Sequence, residues 1–200
     1  MLDRYSQKLV YPALNLLGVF LLRIGLTPNL LSWSGIFFGV SAAVSIYYSF
    51  MLLGLLFILI NRICDGLDGQ MARETEVSDY GGFLDIVFDF FFYAIIPLSF
   101  GLQKEENLIP ALFLLVSFLI NGSSFLAYAA IKASNTKNQR NTEKSLHYSH
   151  GLIEGTETIL FFILFCLFPE KFSLFCYIFC FLTCLTFLQR LVKAKAEFKG

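Results

Sequence analysis

From Asn61 the chain runs NRICDGLDGQMARETEVSDYGGFLDIVFDFFFYAI, which sets four aspartates close together at the edge of strongly apolar stretches. Asp65 and Asp68 are three residues apart, and Asp85 and Asp89 are four apart. Either interval puts both members of a pair on one face of a helix. A charged aspartate near the middle of a membrane span costs about 2.5–3.5 kcal/mol on insertion scales. Four together also repel one another. A hard divalent cation relieves both penalties, and an all-oxygen donor set suits Mg²⁺ or Mn²⁺ better than Zn²⁺. The alternative is pairing with basic side chains, and only Arg62 and Arg73 stand near. Two guanidinium groups leave negative charge over, so a metal site is the expectation.

Gly66, Gly69, Ala72, Gly81 and Gly82 flank the carboxylates. Glycine is unfavourable inside a helix, so its presence calls for a reason. One is the approach of a flat or phosphorylated ligand to the backbone. The other is close packing, since small residues are common where membrane helices meet. Arg73, about one turn beyond Asp68, can hold phosphate oxygens or reach to the membrane interface.

The elements that must position these residues follow from hydropathy. Of the 200 residues 56% are hydrophobic and 15% charged, with a mean hydropathy of +0.68. Soluble domains carry about 25% charge. The chain is therefore read as an all-α membrane protein. Six spans are expected, near 29–49, 51–73, 81–101, 108–132, 151–168 and 172–192. The stretch from Leu9 to Leu22 is short of the roughly 20 residues a span needs and reads as an amphipathic helix lying in the interface. Thr27-Pro28-Asn29 supplies a cap and a first-turn proline for the helix that follows. One unit, 1–200, is expected: an interfacial helix over 1–26, a six-helix bundle over 29–192 and a tail over 193–200. No short basic region with a cleavage site marks a secretory signal peptide at the N-terminus.

With six spans both termini share one side, and that side holds all but Lys104 and Lys171 of the 15 Lys and Arg residues. The positive-inside rule then puts both termini in the cytoplasm, as part of a multi-pass protein of the inner membrane. Asp68 and Asp85 fall some 6–8 Å from the cytoplasmic ends of their spans, at roughly 1.5 Å per residue. Packed helices lie roughly 8–10 Å apart, so all four carboxylates are expected at one spot. The zero net charge offers nothing to nucleic acid.

The run Asp65-x-x-Asp68-Gly69-x-x-Ala72-Arg73, seven residues, Gly81-x-x-x-Asp85-x-x-x-Asp89 resembles the signature of the CDP-alcohol phosphotransferases at every fixed position. The resemblance extends to the interfacial helix and the Thr27-Pro28-Asn29 segment. It implies a homodimer that takes a substituted phosphate, phosphatidyl in the case of CDP-diacylglycerol, from a CDP-linked donor to an acceptor hydroxyl and releases CMP. It also implies that Asp65, Asp68 and Asp85 hold metal, Mg²⁺ or Mn²⁺. Asp89 is implied as the general base, in contact with a second ion. Asp65, Asp68, Gly69, Ala72, Arg73 and Gly81 are implied as contacts to the CDP donor.

The acceptor is less legible. Glu154 and Glu157 share a face at the start of the fifth expected span and could bind an amine or polyol acceptor, or complete a metal shell. Acidic residues are also simply favoured at a helix N-terminus. The basic loop 133–150 could bind a phosphorylated acceptor or only obey the charge rule, and His147 and His150 within it have no clear metal context. Asn121, Ser123, Ser124 and Tyr128 could line an acceptor pocket or bond between helices. Cys176, Cys180 and Cys184 recur at i, i+4 and read as small apolar fillers rather than metal ligands. Two rival functions deserve weighing. An intramembrane prenyltransferase usually has its aspartate motifs on distant helices, whereas 16 residues separate Asp68 from Asp85. A cation transporter needs a path across the membrane, and here the acidic residues cluster at one face.

Overall fold

In the computed structural model the described residues are 14–138 and 153–198. They form seven α-helices and one 3-10 turn: α1 (Leu14–Arg23), α2 (Pro28–Tyr47), α3 (Met51–Glu74), α4 (Asp79–Gln103), α5 (Glu105–Asn138), α6 (Gly155–Leu167), the turn Pro169–Lys171, and α7 (Phe172–Glu197). The helix starts are written locally. Thr27 accepts a bond from Leu30 N at 3.4 Å, and Pro28 follows where no donor is needed. Ser78 does the same for α4, accepting from Gly81 N at 3.0 Å.

Small residues bring the first helices close. On α2 a Cβ at Gly35 would meet Cys64 and Asn61 of α3, and one at Gly39 would lie 3.1 Å from the Phe92 ring of α4. This close seam sets α2 against both α3 and α4. Gly122 likewise lets α5 lie directly on Phe90 of α4. Further along, α5 packs on α7, and α6 touches α3 and α7. Aromatic rings fill the middle: Phe100 stacks on Phe172 and Phe161 on Phe179, with ring centres 4.7 and 4.3 Å apart. Phe37, Leu52, Phe83, Leu119 and Phe181 are more than half exposed. Apolar faces on this scale mark a membrane surface.

The six-span expectation is corrected. Among the described residues four helical stretches are long and apolar enough to cross a membrane: Pro28–Tyr47, Asp79–Gln103, Glu105–Asn135 and Pro169–Glu197. Two expected spans fail for different reasons. α3 has the length, but its first 18 residues already include Arg62, Asp65 and Asp68. α6 has only 13 residues, about 20 Å at 1.5 Å per residue, against a hydrocarbon core near 30 Å. The expected polar loop over 133–150 is also partly helical, because α5 continues to Asn138. The remainder of that loop, with His147 and His150, lies outside the described residues. So do residues 1–13 of the interfacial segment 1–26, of which α1 is the described helix.

Candidate active site

Three helices build an acidic cleft. Ser32, Gly35 and Ile36 come from α2, Asn61, Arg62, Asp65 and Asp68 from α3, and Asp85 and Phe88 from α4. Asp68 is buried, and Ser32 donates its hydroxyl to Asp68 Oδ2 at 2.5 Å. Asp85 is exposed at the rim, while Asp65 is partly covered. The fourth aspartate, Asp89, stands one turn further along α4 and is tied to the cleft by an arginine. Arg62 donates to Asp89 Oδ1 at 2.8 Å and to Asp65 Oδ2 at 3.4 Å. Tyr93 donates to the other Asp89 oxygen at 3.4 Å.

The i, i+3 and i, i+4 spacings thus place three aspartates on one cleft and the fourth beside it. What sequence reasoning missed is Arg62. It entered only as a charge in a balance, yet it pairs directly with two of the four carboxylates. Its i, i+3 relation to Asp65 was the signal available. Asn61 supports it, accepting from Arg62 Nε at 2.7 Å while donating to Gly35 O at 2.7 Å.

The residues expected to contact the donor fall at the same end. A Cβ at Gly69 would sit in ordinary contact with the Arg73 guanidinium, at 3.6 Å, and that side chain donates to Gln70 Oε1 at 3.0 Å. Ala72 is partly covered on the same helix. Gly81 lies in the first turn of α4 beneath the Ser78 cap. Glu154 and Glu157 form a reciprocal capping box on α6, with Glu154 N donating to Glu157 at 3.1 Å. This start of α6 is beside Tyr93, the residue that bonds to Asp89, since a Cβ at Gly155 would lie 3.4 Å from the Tyr93 hydroxyl.

Three of the four polar residues singled out on α5, Asn121, Ser124 and Tyr128, bond to α7. Arg190 of α7 donates to Asn121 O and Oδ1 at 2.7 Å each and to Ser124 Oγ at 2.6 Å. Tyr128 bonds to Glu197, and Ser123 only to Leu119 O of its own helix. Along α7 the cysteines pass from buried Cys176 to exposed Cys184.

By donor type the cleft fits a hard divalent ion: the groups opening on it from α2, α3 and α4 include a hydroxyl and three carboxylates. As the side chains stand, however, no three acidic, His or Cys residues among those described are close enough to share one ion. A guanidinium instead joins Asp65 to Asp89.

Fold and site define a multi-pass, all-α membrane protein with four aspartates of α3 and α4 gathered at one end of those helices. Residues 25–192 match the CDP-alcohol phosphatidyltransferase family, and the chain belongs to it. It is an enzyme of lipid metabolism that transfers a group from a CDP-alcohol and releases CMP. The chain is 45% identical over 175 residues to the inner membrane protein YnjF of Escherichia coli, covering 86% of this chain and 85% of that protein. It is 28% identical over 200 residues to the archaetidylinositol phosphate synthase of Pyrococcus horikoshii, covering 98% and 97%. Its fold is similar to that of the phosphatidylinositol phosphate synthase PgsA1 of Mycobacterium tuberculosis with CDP-DAG bound. The TM-score is 0.75 at 20% identity, over 94% of this chain and 98% of that one. The same enzyme with manganese and citrate gives a TM-score of 0.67 at 19% identity, over 94% and 93%.

Proposed function

We propose that the group transferred is phosphatidyl from CDP-diacylglycerol, and that the chemistry runs in the acidic cleft as one unit of the whole chain. The observation that carries this reading is the cleft itself, onto which three signature aspartates open from two helices, with the fourth joined to them through Arg62. Asp65, Asp68 and Asp85, with Asp89 beside them, are the residues that would hold Mg²⁺ or Mn²⁺. When bound, such ions supply Lewis-acid charge neutralisation at the diphosphate. A relative of the same fold bound to manganese supports this.

The chain's own groups do the rest. Arg73, Gly69, Ala72 and Gly81 bind and orient the CDP end, with Arg73 against the diphosphate. Asp89 takes the proton of the acceptor hydroxyl. The acceptor oxygen then bonds to the β-phosphorus while the bond from that phosphorus to the bridging oxygen breaks, and the electron pair leaves on CMP. Glu154 and Glu157 border the acceptor side, a reading supported by the closeness of Gly155 to Tyr93 and hence to Asp89. The site faces the cytoplasm in this reading. The C-terminal ends of α5 and α7 meet there through Lys132 and Glu197, beside Arg190, Lys193 and Lys195. The enzyme acts as a homodimer.

CMP release from CDP-diacylglycerol, measured with an acceptor panel that includes glycerol 3-phosphate and inositol phosphate, tests the reading. Activity should vanish with EDTA and return with Mg²⁺ or Mn²⁺. Undiminished release in a rigorously chelated preparation would sink the metal assignment.

A further inference from the structure

Arg62 is placed with more care than a chance ion pair requires. Its guanidinium spans from α3 to α4, with Asp65 on its own helix and Asp89 on the next. Asn61 anchors Nε and is itself anchored to the Gly35 carbonyl of α2. The Phe92 ring lies beneath, 4.4 Å from the guanidinium carbon, so the group is held on three sides. Only 17% of the side chain is exposed, yet it lines the same cleft as Asp65, Asp68 and Asp85.

We propose that Arg62 is a resident counter-cation of the site, which holds the carboxylates of α3 and α4 together and competes with divalent metal for Asp65 and Asp89. This rests on the metal reading above. Two facing carboxylates with no cation between them repel and drive the helices apart. Here one guanidinium nitrogen, Nη1, meets both at once while Nε is held by Asn61, and a lysine ammonium has no second nitrogen to make that anchor. The oxygens it occupies, Asp89 Oδ1 and Asp65 Oδ2, are among those an ion would need. Arg62 must therefore yield them before an ion can bind across the pair. Displacement of one cation by the other lets an ion bind across the pair, and Arg62 is a positioning residue rather than a catalytic one.

A merely structural arginine and a competing one differ in sign. Mn²⁺ binding to the full chain, purified in detergent, would be followed by the EPR signal of the free ion, for wild type, Arg62→Gln and Arg62→Lys. Loss of the competitor should tighten Mn²⁺ binding about tenfold in Arg62→Gln, given how strongly close charge pairs couple. Arg62→Lys should fall between it and wild type. Without metal, Arg62→Gln should melt below wild type, and saturation with Mn²⁺ should close that gap. Unchanged or weaker Mn²⁺ binding in Arg62→Gln overturns the inference, as does a melting deficit that Mn²⁺ leaves in place. Should Arg62→Gln fail to fold, Arg62→Lys decides, and an affinity at or below wild type overturns the proposal. A wild-type protein that binds no Mn²⁺ sinks the metal reading and this one with it. Wild-type binding without any gain in the variants sinks this one alone.

Discussion

Two arginines are drawn into the interior of this bundle, and their company differs. Arg62 faces carboxylates, Asp65 and Asp89, on two helices. Arg190 donates to neutral oxygens, those of Asn121 and Ser124, and its buried Nε has no partner among the described residues. The first belongs to a region where negative charge is in excess. The second carries its own positive charge and fastens α5 to α7 through neutral oxygens. A polar cluster of one arginine and several oxygens can thus be a reaction site or a rivet. Which of the two it is depends on whether its oxygens are ionised and open onto a cleft.

The largest effect expected from this contrast is at Asp89. Asp89→Asn keeps size but loses charge and basicity, so transfer should fall by about 10²–10⁴-fold, the usual contribution of a general base. Donor affinity should stay near wild type, and no Mg²⁺ concentration should restore the rate. Asp68→Asn is the counterpart. It weakens metal binding, so its Mg²⁺ requirement should shift upward with part of the activity recoverable. Donor affinity and CMP release across a metal titration on both variants check this. Equal rescue of both would make Asp89 another ligand.

At the rivet the expectation is reversed. Arg190→Met keeps the stem but removes three donated bonds, which should lower stability by about 2–3 kcal/mol. Mn²⁺ affinity should remain within about twofold of wild type, since none of the three donated bonds goes to a carboxylate. A thermal melt and the Mn²⁺ titration together read both numbers. A large change in Mn²⁺ affinity would mean that the two clusters are coupled and the contrast is false.

The aspartate positions were legible in the sequence because helical spacing fixes faces, and Asp65, Asp68, Asp85 and Asp89 needed little more. The Thr27-Pro28 start was legible for the same reason: a cap is a local contact. Span number was harder. Met51–Glu74 has the length of a span, but hydropathy along a sequence does not weigh where its charges fall, and here they fill one half of the helix. At α6 the apolar run was counted from 151, whereas the helix begins at Gly155, once Glu154 and Glu157 have closed the capping box. Arg190 and Asn121 are 69 residues apart. A contact between side chains that distant is fixed by how α5 packs on α7, and no spacing rule reaches it. The same holds for Arg62 and Asp89, although Arg62 and Asp65 could have been paired from their spacing alone.

The smallest effect expected is at Glu157, where capping and acceptor binding make opposite demands. Glutamine at the third position of a helix still completes a capping box, because its side-chain oxygen accepts the same backbone bond. Glu157→Gln should therefore melt within about 0.5 kcal/mol of wild type, as a substitution that preserves a local bond does. What it loses is charge. If the side chain also borders the acceptor, the acceptor KM should rise by several-fold, roughly the 1 kcal/mol that separates a charged from a neutral hydrogen bond, while the KM for the CDP donor stays unchanged. Glu157→Ala removes both functions and should lose stability as well, by about 1 kcal/mol. The informative comparison is between the two variants: acceptor KM should move in both, melting temperature only in the alanine. An acceptor KM that follows the melting temperature instead, unchanged in glutamine and raised in alanine, would leave Glu157 as a cap alone and move the acceptor site away from the start of α6.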